Sequence, residues 1–191
     1  MMRIITGKAR GVRLATLEGE QTRPTAERVK EAVFSMLRAE IPYAQVLDLF
    51  AGSGQLGLEA VSQGAKYALL CDGSREAVKI IRGNAEKTKL AEQCEIVCLD
   101  YAALLRSLRE KKRFDVVFLD PPYAMRIVPK ALKLLAECNL LAPNARVICE
   151  TAGEEDVFLT DLSLREQFEI LRVARYGAAC ITVLKPKEDI Q

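Results

Sequence analysis

The sequence contains no histidine among its 191 residues. That absence removes histidine general bases, imidazole-dependent triads and HExxH metalloprotease chemistry. The six cysteines (71, 94, 98, 138, 149 and 180) include no CxxC pair. Cys94 and Cys98 stand four apart, but with no histidine and no second cysteine pair nothing completes a four-ligand zinc site, so no metal is expected. Four of the six lie within apolar or mixed strand-like runs and read instead as small core residues of a protein in a reducing compartment. Apolar runs fall far short of the roughly 18 residues that mark a membrane span. Residues 1–11 carry charges and no continuous apolar segment, so no signal peptide is read there and a soluble, cytoplasmic protein is expected. There is no internal repeat and no low-complexity stretch. Chemistry must run on carboxylates, amides, hydroxyls, thiols or a bound cofactor.

Half of the chain is apolar, enough for one packed domain of ordinary size with a small appendage. The net charge of +2 is unevenly placed. Residues 1–30 hold seven bases (Arg3, Lys8, Arg10, Arg13, Arg23, Arg28, Lys30) against three acids (Glu18, Glu20, Glu27), a net of +4, which leaves −2 on the other 161 residues. A basic arm on a faintly acidic body points to a polyanion, although a solvated surface hairpin would look the same by charge alone.

Arg3–Thr6 and Val12–Ala15 read as two short strands joined across Gly7 to Gly11. A helix follows, with Thr25 as its N-cap and Val29, Ala32, Val33, Met36 and Leu37 at helical spacing, running to near Pro42. Strands are then expected at 46–50, 67–71, 95–99, 114–119 and 146–150, alternating with helices at 55–63, 74–87, 100–108 and 127–139. This is the grammar of an open, mostly parallel α/β sheet. The tail differs. Strands at 168–174 and 177–184 are joined by Arg175-Tyr176-Gly177, too short a link for a parallel crossover, so they form an antiparallel hairpin. Seven strands of this kind are the Rossmann-like sheet of a class I S-adenosylmethionine-dependent methyltransferase. Residues 1–24 are expected to form a basic hairpin arm and 25–191 the methyltransferase domain.

At the end of the first sheet strand, Asp48-Leu49-Phe50-Ala51-Gly52-Ser53-Gly54-Gln55-Leu56-Gly57 contains GxGxxG. Its glycines let the main chain approach a ligand, whether a dinucleotide or S-adenosylmethionine. Asp72, beside Gly73, ends the next strand and can accept from both hydroxyls of a ribose. Asp48 inside its strand can orient the loop or a ligand ammonium. Asp100, beside Tyr101, can accept from an adenine amine. Three acids around a pyrophosphate would repel it, whereas a sulfonium and an ammonium tolerate them.

Asp120-Pro121-Pro122-Tyr123 follows the strand 114–119. An exocyclic amine is a poor nucleophile because its lone pair is delocalised into the ring. The Asp120 carboxylate and the Pro121 carbonyl, each accepting one N–H, would favour a pyramidal nitrogen aimed at a methyl donor. Such positioning supplies roughly 7–11 kcal/mol in favourable cases. Two prolines prebuild the loop, and Tyr123 offers a face for base stacking, worth roughly 1–3 kcal/mol.

These residues resemble the bacterial 16S ribosomal RNA guanine-N2 methyltransferases of the RsmD type, over nearly the whole chain. The matching segments are residues 2–11, Thr22-Arg23-Pro24-Thr25 with 28–34, 47–54, 120–123 and Arg175-Tyr176-Gly177. The resemblance implies methyl transfer from S-adenosylmethionine to N2 of one guanine in small-subunit ribosomal RNA. Gly52, Gly54, Asp72 and Asp100 would contact the cofactor, and Asp120 and Pro121 the amine. The family usually has glutamate where this chain has Asp72; the shorter acid reaches a ribose if the backbone lies closer, which Gly73 permits. Lys8, Arg10, Arg13 and Arg23 would grip phosphates beside a base splayed from its stack. The expected partner is ribosomal RNA within a small-subunit particle, met by a monomer. Adenine-N6 methylation of DNA, methylation of a protein glutamine amide and a non-catalytic RNA-binding assembly factor remain open on the residues alone. A nicotinamide dehydrogenase lacks any hydride-transfer acid.

Overall fold

The four central strands are buried on both faces, and their alternation sets the two layers that flank them. In β1 (Gln45–Asp48) and β4 (Phe114–Leu119), Val46, Val116 and Phe118 face one side, while Leu47, Val117 and Leu119 face the other. The first side packs against α1 (Pro24–Met36), α2 (Gln55–Ser62) and α3 (Arg75–Thr88), through residues such as Phe34, Leu58 and Ile81. The second packs against α4 (Tyr101–Ser107), α5 (Val128–Glu137) and the short α6 (Leu164–Gln167), through Leu104, Leu132 and Leu164. Helices on both faces are what near-continuous apolar parallel strands require. The computed structural model describes residues 2–17, 24–122, 127–152 and 163–187.

With β2 (Tyr67–Asp72), β3 (Cys94–Cys98), β5 (Leu141–Ala152), β6 (Phe168–Tyr176) and β7 (Ala179–Pro186), the sheet has seven strands in the order β3-β2-β1-β4-β5-β7-β6. β1 to β5 run parallel, and β7 enters antiparallel between β5 and β6. This is the class I methyltransferase sheet expected from the short Arg175–Gly177 link. From β1 the chain steps outward to β2 and β3, then crosses back to β4 on the other side of β1, and this reversal of direction creates a crevice at the strands' carboxyl ends. β6 is an outer strand, with Ile170, Leu171, Arg172 and Val173 exposed and a register shift between Ile170 and Arg172.

Several boundaries differ from the sequence reading. α1 begins at Pro24, so Thr25 lies inside its first turn rather than at the N-cap; proline suits a first helical position because no donor is needed there. The helix ends at Met36, and a tight turn in which the Glu40 and Ile41 N–H groups return to the Leu37 carbonyl replaces the expected last residues. β1 stops at Asp48, because Leu49 and Phe50 already turn towards the glycine loop. The N-terminal strands pair through a single antiparallel bridge, Arg3 with Arg13, flanked by bonds from Ile4 N–H to the Val12 carbonyl and Leu14 N–H to the Met2 carbonyl, each 3.0 Å.

Four of the six cysteines sit in the core. Cys71, Cys138, Cys149 and Cys180 are buried, but Cys94 is half-buried and Cys98 exposed. Both stand on β3, the outermost strand of the sheet on that side among the described residues. The basic arm is less charged than its composition. Arg3 pairs with Glu27 at 2.6 Å, and Lys30 is buried against Glu59. Among the described residues, no helix is long and apolar enough to cross a membrane, and no cluster of three or more cysteine or acidic side chains could hold a metal.

Candidate functional site

The carboxyl ends of β1 to β5 open into a cleft of about 780 Å³, within the usual range for a small-molecule site. Its floor is the glycine loop. Leu49 N–H donates to Phe118 and Ala51 N–H to Cys71, so the loop is tied to both neighbouring strands as it leaves β1. Gly52 and Gly54 then take φ of 54° and 79°, left-handed values that a side chain would strain. Gly54 caps α2, and Phe50, Ala51, Gly52 and Ser53 line the cleft while Gly54 lies behind it.

Asp48 lines the cleft yet is 1% exposed. Its Oδ2 accepts from Gly57 N–H at 2.9 Å, which explains the third glycine: a Cβ there would meet Leu70 at 2.8 Å and the Asp48 carboxylate at 3.3 Å. Burial pushes the Asp48 carboxyl up to about 7, helped by the charge of Asp72 and opposed by the Gly57 bond. A buried acid poised near neutrality is what a cationic ligand would ionise fully.

Asp72 braces the loop from the side. Oδ2 accepts from Gly52 N–H at 2.9 Å and Oδ1 from Ser74 N–H at 2.8 Å. Gly73 follows, with Leu99 opposite. Asp100 caps α4, its Oδ1 accepting from the Ala102 and Ala103 N–H groups at 3.0 Å each. Tyr101 packs beside Phe50 with ring centroids 5.4 Å apart, and both line the cleft. Burial and the Asp100 charge push the Tyr101 hydroxyl up.

Asp120, Pro121 and Pro122 form the opposite wall of the same cleft, where β4 ends. The expected loop residue Tyr123 lies outside the described residues. Glu150, which sequence reasoning missed, lines the cleft from within β5, and Leu119 pairs with Cys149, so Asp120 just past the end of β4 and Glu150 stand at one level. The rule that ligands sit at strand carboxyl ends was the signal that could have found it. A smaller recess of about 100 Å³ continues past Asp120 and Glu150 between α1 and the sheet, bounded by Val29, Val33 and Ile181.

The N-terminal hairpin closes one side of the cleft, where Met2 and Leu17 line it. Lys8, Arg10 and Arg13 are exposed on this hairpin, with Lys8 bonded to Gln93; Arg23 lies outside the described residues. Three buried polar residues, Glu59, Lys30 and Asn84, hold the hairpin. Glu59 accepts from Ile5 N–H at 2.8 Å, Thr6 N–H at 2.9 Å and Gln63 Nε2 at 2.9 Å. Lys30 Nζ lies 3.3 Å from Glu59 and donates to the Arg3 carbonyl at 2.6 Å. Asn84 of α3 bonds to Ala15 and to Ser53. Gly7, at φ 80°, sits so close to the end of α2 that a Cβ would lie 1.9 Å from the Ser62 carbonyl oxygen.

A family model described as conserved hypothetical protein 95 matches residues 2–185. A curated relative, ribosomal RNA small subunit methyltransferase D of Haemophilus influenzae, is 39% identical over 155 residues, 81% of this chain and 80% of its own. The chain belongs to this RsmD-type family. Among solved structures, the yhhF protein of Escherichia coli superposes with a TM-score of 0.83 at 28% identity, covering 97% of this chain and 98% of its own. An RNA methyltransferase of Salinibacter ruber, solved with S-adenosyl-L-homocysteine, gives a TM-score of 0.66 at 18% identity over 88% of this chain and 97% of its own, a likeness of fold alone. The family match over residues 2–185 spans the glycine loop, the acids at the strand ends and the acidic-proline loop.

Proposed function

We propose that the chain transfers a methyl group from S-adenosylmethionine to the exocyclic N2 amine of a guanine in small-subunit ribosomal RNA. One observation carries this reading: the acidic-proline wall and the acid-rimmed glycine loop line one cleft. The relative's name supplies the ribosomal RNA, and the family resemblance supplies the guanine.

The residues present fit the cofactor. Carboxylates at three strand ends suit its ribose hydroxyls, its adenine amine and its ammonium, and the left-handed Gly52, which carries no side chain, lets the main chain lie close to it. Bound there, it supplies an electrophilic methyl on a sulfonium. The Asp120 carboxylate and the Pro121 carbonyl would each accept a hydrogen bond from one amine N–H and so turn the nitrogen lone pair towards the methyl. As the N–C bond forms and the S–C bond breaks, the nitrogen becomes acidic, and Asp120 takes up the released proton or passes it to water. No imidazole is needed.

The exposed Lys8, Arg10 and Arg13 on the hairpin, together with Arg23, hold phosphates next to the flipped base. We therefore read residues 1–24 as the RNA-gripping element of a monomeric cytoplasmic enzyme whose remaining residues carry the chemistry. The test is incubation of purified protein with methyl-labelled S-adenosylmethionine and unmodified small-subunit particles, followed by nucleoside analysis. N2-methylguanosine is the expected product. Label in N6-methyladenosine or in a protein glutamine, or no label in any fraction, would overturn the reading.

A further inference from the structure

Asn84 lies inside α3 with 1% of its surface exposed. Asparagine is a poor choice for a helix interior, because its side chain competes for backbone hydrogen bonds. Here all its bonding is spent on distant segments. Oδ1 accepts from Ala15 N–H at 2.8 Å, and Nδ2 donates to the Ala15 carbonyl at 2.9 Å and to the Ser53 carbonyl at 2.8 Å. The side-chain amide thus treats Ala15 as a strand would treat its neighbour, meeting both of its backbone groups. Its remaining N–H fixes the loop that floors the cleft.

The same two segments meet a second time. Ser53 Oγ donates to Met2 Sδ at 3.0 Å, and Met2, Leu17 and Ser53 all line the cleft. Farther along, the hairpin is anchored independently of Asn84, through Glu59, Ser62 and the buried Ile4 and Leu14. The return segment 15–17 is where Asn84 acts. A ligand that touches Met2 and Leu17 binds only the docked arrangement and so raises its population. Linkage makes the effect reciprocal: whatever holds the hairpin docked tightens the ligand by the same factor.

We infer that Asn84 is a positioning residue that joins docking of the hairpin to occupancy of the cofactor cleft, so that RNA gripped by the hairpin and cofactor in the cleft strengthen each other. The RNA half of this inference rests on the reading of the hairpin given under Proposed function; the cofactor half does not.

Amide hydrogen exchange on the full chain, with and without S-adenosyl-L-homocysteine, tests the cofactor half. In the wild type, the ligand should slow exchange at residues 15–17 by about fivefold or more. In N84A, exchange there should be fast in both states and the ligand should bind about fivefold or more weakly, while residues 50–57 still gain protection on binding. L17A, which keeps the Asn84 bonds, should bind more weakly yet retain slow exchange at Ala15. If N84A does not fold, N84D serves in its place: it keeps the size and the acceptor for Ala15 N–H but loses both donors. Wild-type exchange at 15–17 that ignores the ligand, or an Asn84 variant that behaves as wild type, would overturn the inference. A third arm repeats the affinity measurement with saturating, unmodified small-subunit ribosomal RNA transcript. The wild type should gain about fivefold or more and N84A none; an equal affinity in the wild type with bound RNA refutes the coupling. Failure of the wild type to bind RNA at all sinks the hairpin's role as an RNA grip instead, and the exchange result still decides the link to the cofactor.

Discussion

Lys30 and Glu59 lie 3.3 Å apart with side chains 3% and 0% exposed. They join α1 and α2 beneath the N-terminal hairpin, whose Ile5 and Thr6 N–H groups point at the same carboxylate. Burial pulls the Lys30 ammonium below its ordinary range, and Glu59 opposes that pull. Removing one partner strands the other charge away from water. E59A is therefore expected to destabilise the fold by about 3–5 kcal/mol and to open the hairpin to protease, measured by urea denaturation and limited digestion. The double variant K30M/E59L should recover only part of the loss, because two backbone donors of the hairpin still lack an acceptor. Full recovery would show that the ion pair alone, and not the backbone clamp, secures the hairpin.

Asp120 is assigned to the amine and not to the cofactor. D120A should lower kcat by about 100-fold or more while the dissociation constant for S-adenosyl-L-homocysteine stays within about twofold. D120N should keep part of the rate, since an amide oxygen also accepts a hydrogen bond. Single-turnover methylation alongside calorimetry separates the two effects, and undiminished turnover in D120A would remove Asp120 from the chemistry.

Asp48 ties stability to pH in an unusual direction. Its carboxyl rises from an ordinary 3.8 to about 7 in the folded chain, so the unfolded chain loses this proton first. The stability tied to that proton is whole below about pH 4 and is lost as pH rises towards 7. D48N cannot ionise and should melt at least about 2–4 °C above the wild type at pH 8, with the gap closing near pH 4. The same variant should bind S-adenosylmethionine less tightly, since it offers no negative charge to a cation. Equal melting temperatures at pH 8 would place the Asp48 carboxyl back in the usual range.

RNA affinity should carry the electrostatic mark of the hairpin. R10A and R13A are each expected to weaken binding about equally across RNA sequences and to reduce the slope of log affinity against log salt by about 1. Filter binding across a salt series measures this. Slopes that match the wild type would move the RNA contact elsewhere on the surface.

Much of the framework is legible in the sequence because its signals are local. Apolar runs give β1 to β5, the three-residue link gives the antiparallel tail, and the glycines and acids mark the cleft. The N-terminal region was harder because its order comes from residues far along the chain. Nothing near Ile5 or Ala15 announces that their backbone groups bond to Glu59 and Asn84, 54 and 69 residues away. Composition counts Lys30 as surface charge, but packing turns it into an internal partner of Glu59. Glu150 was passed over because no glycine or proline flags it; only its pairing level beside Asp120 places it in the cleft.

The outer strand β6 has a consequence of its own. Among the described residues no strand pairs with the outer flank of β6, where Ile170, Leu171 and Val173 are exposed; such a flank invites another chain to add itself as a further strand, the first step of aggregation. Two features stand in the way: the register shift at Ile170–Arg172, which bends the flank, and the charges of Arg172 and Arg175 along it. Selection for solubility at high expression should therefore act on these two arginines, although neither is near the cleft.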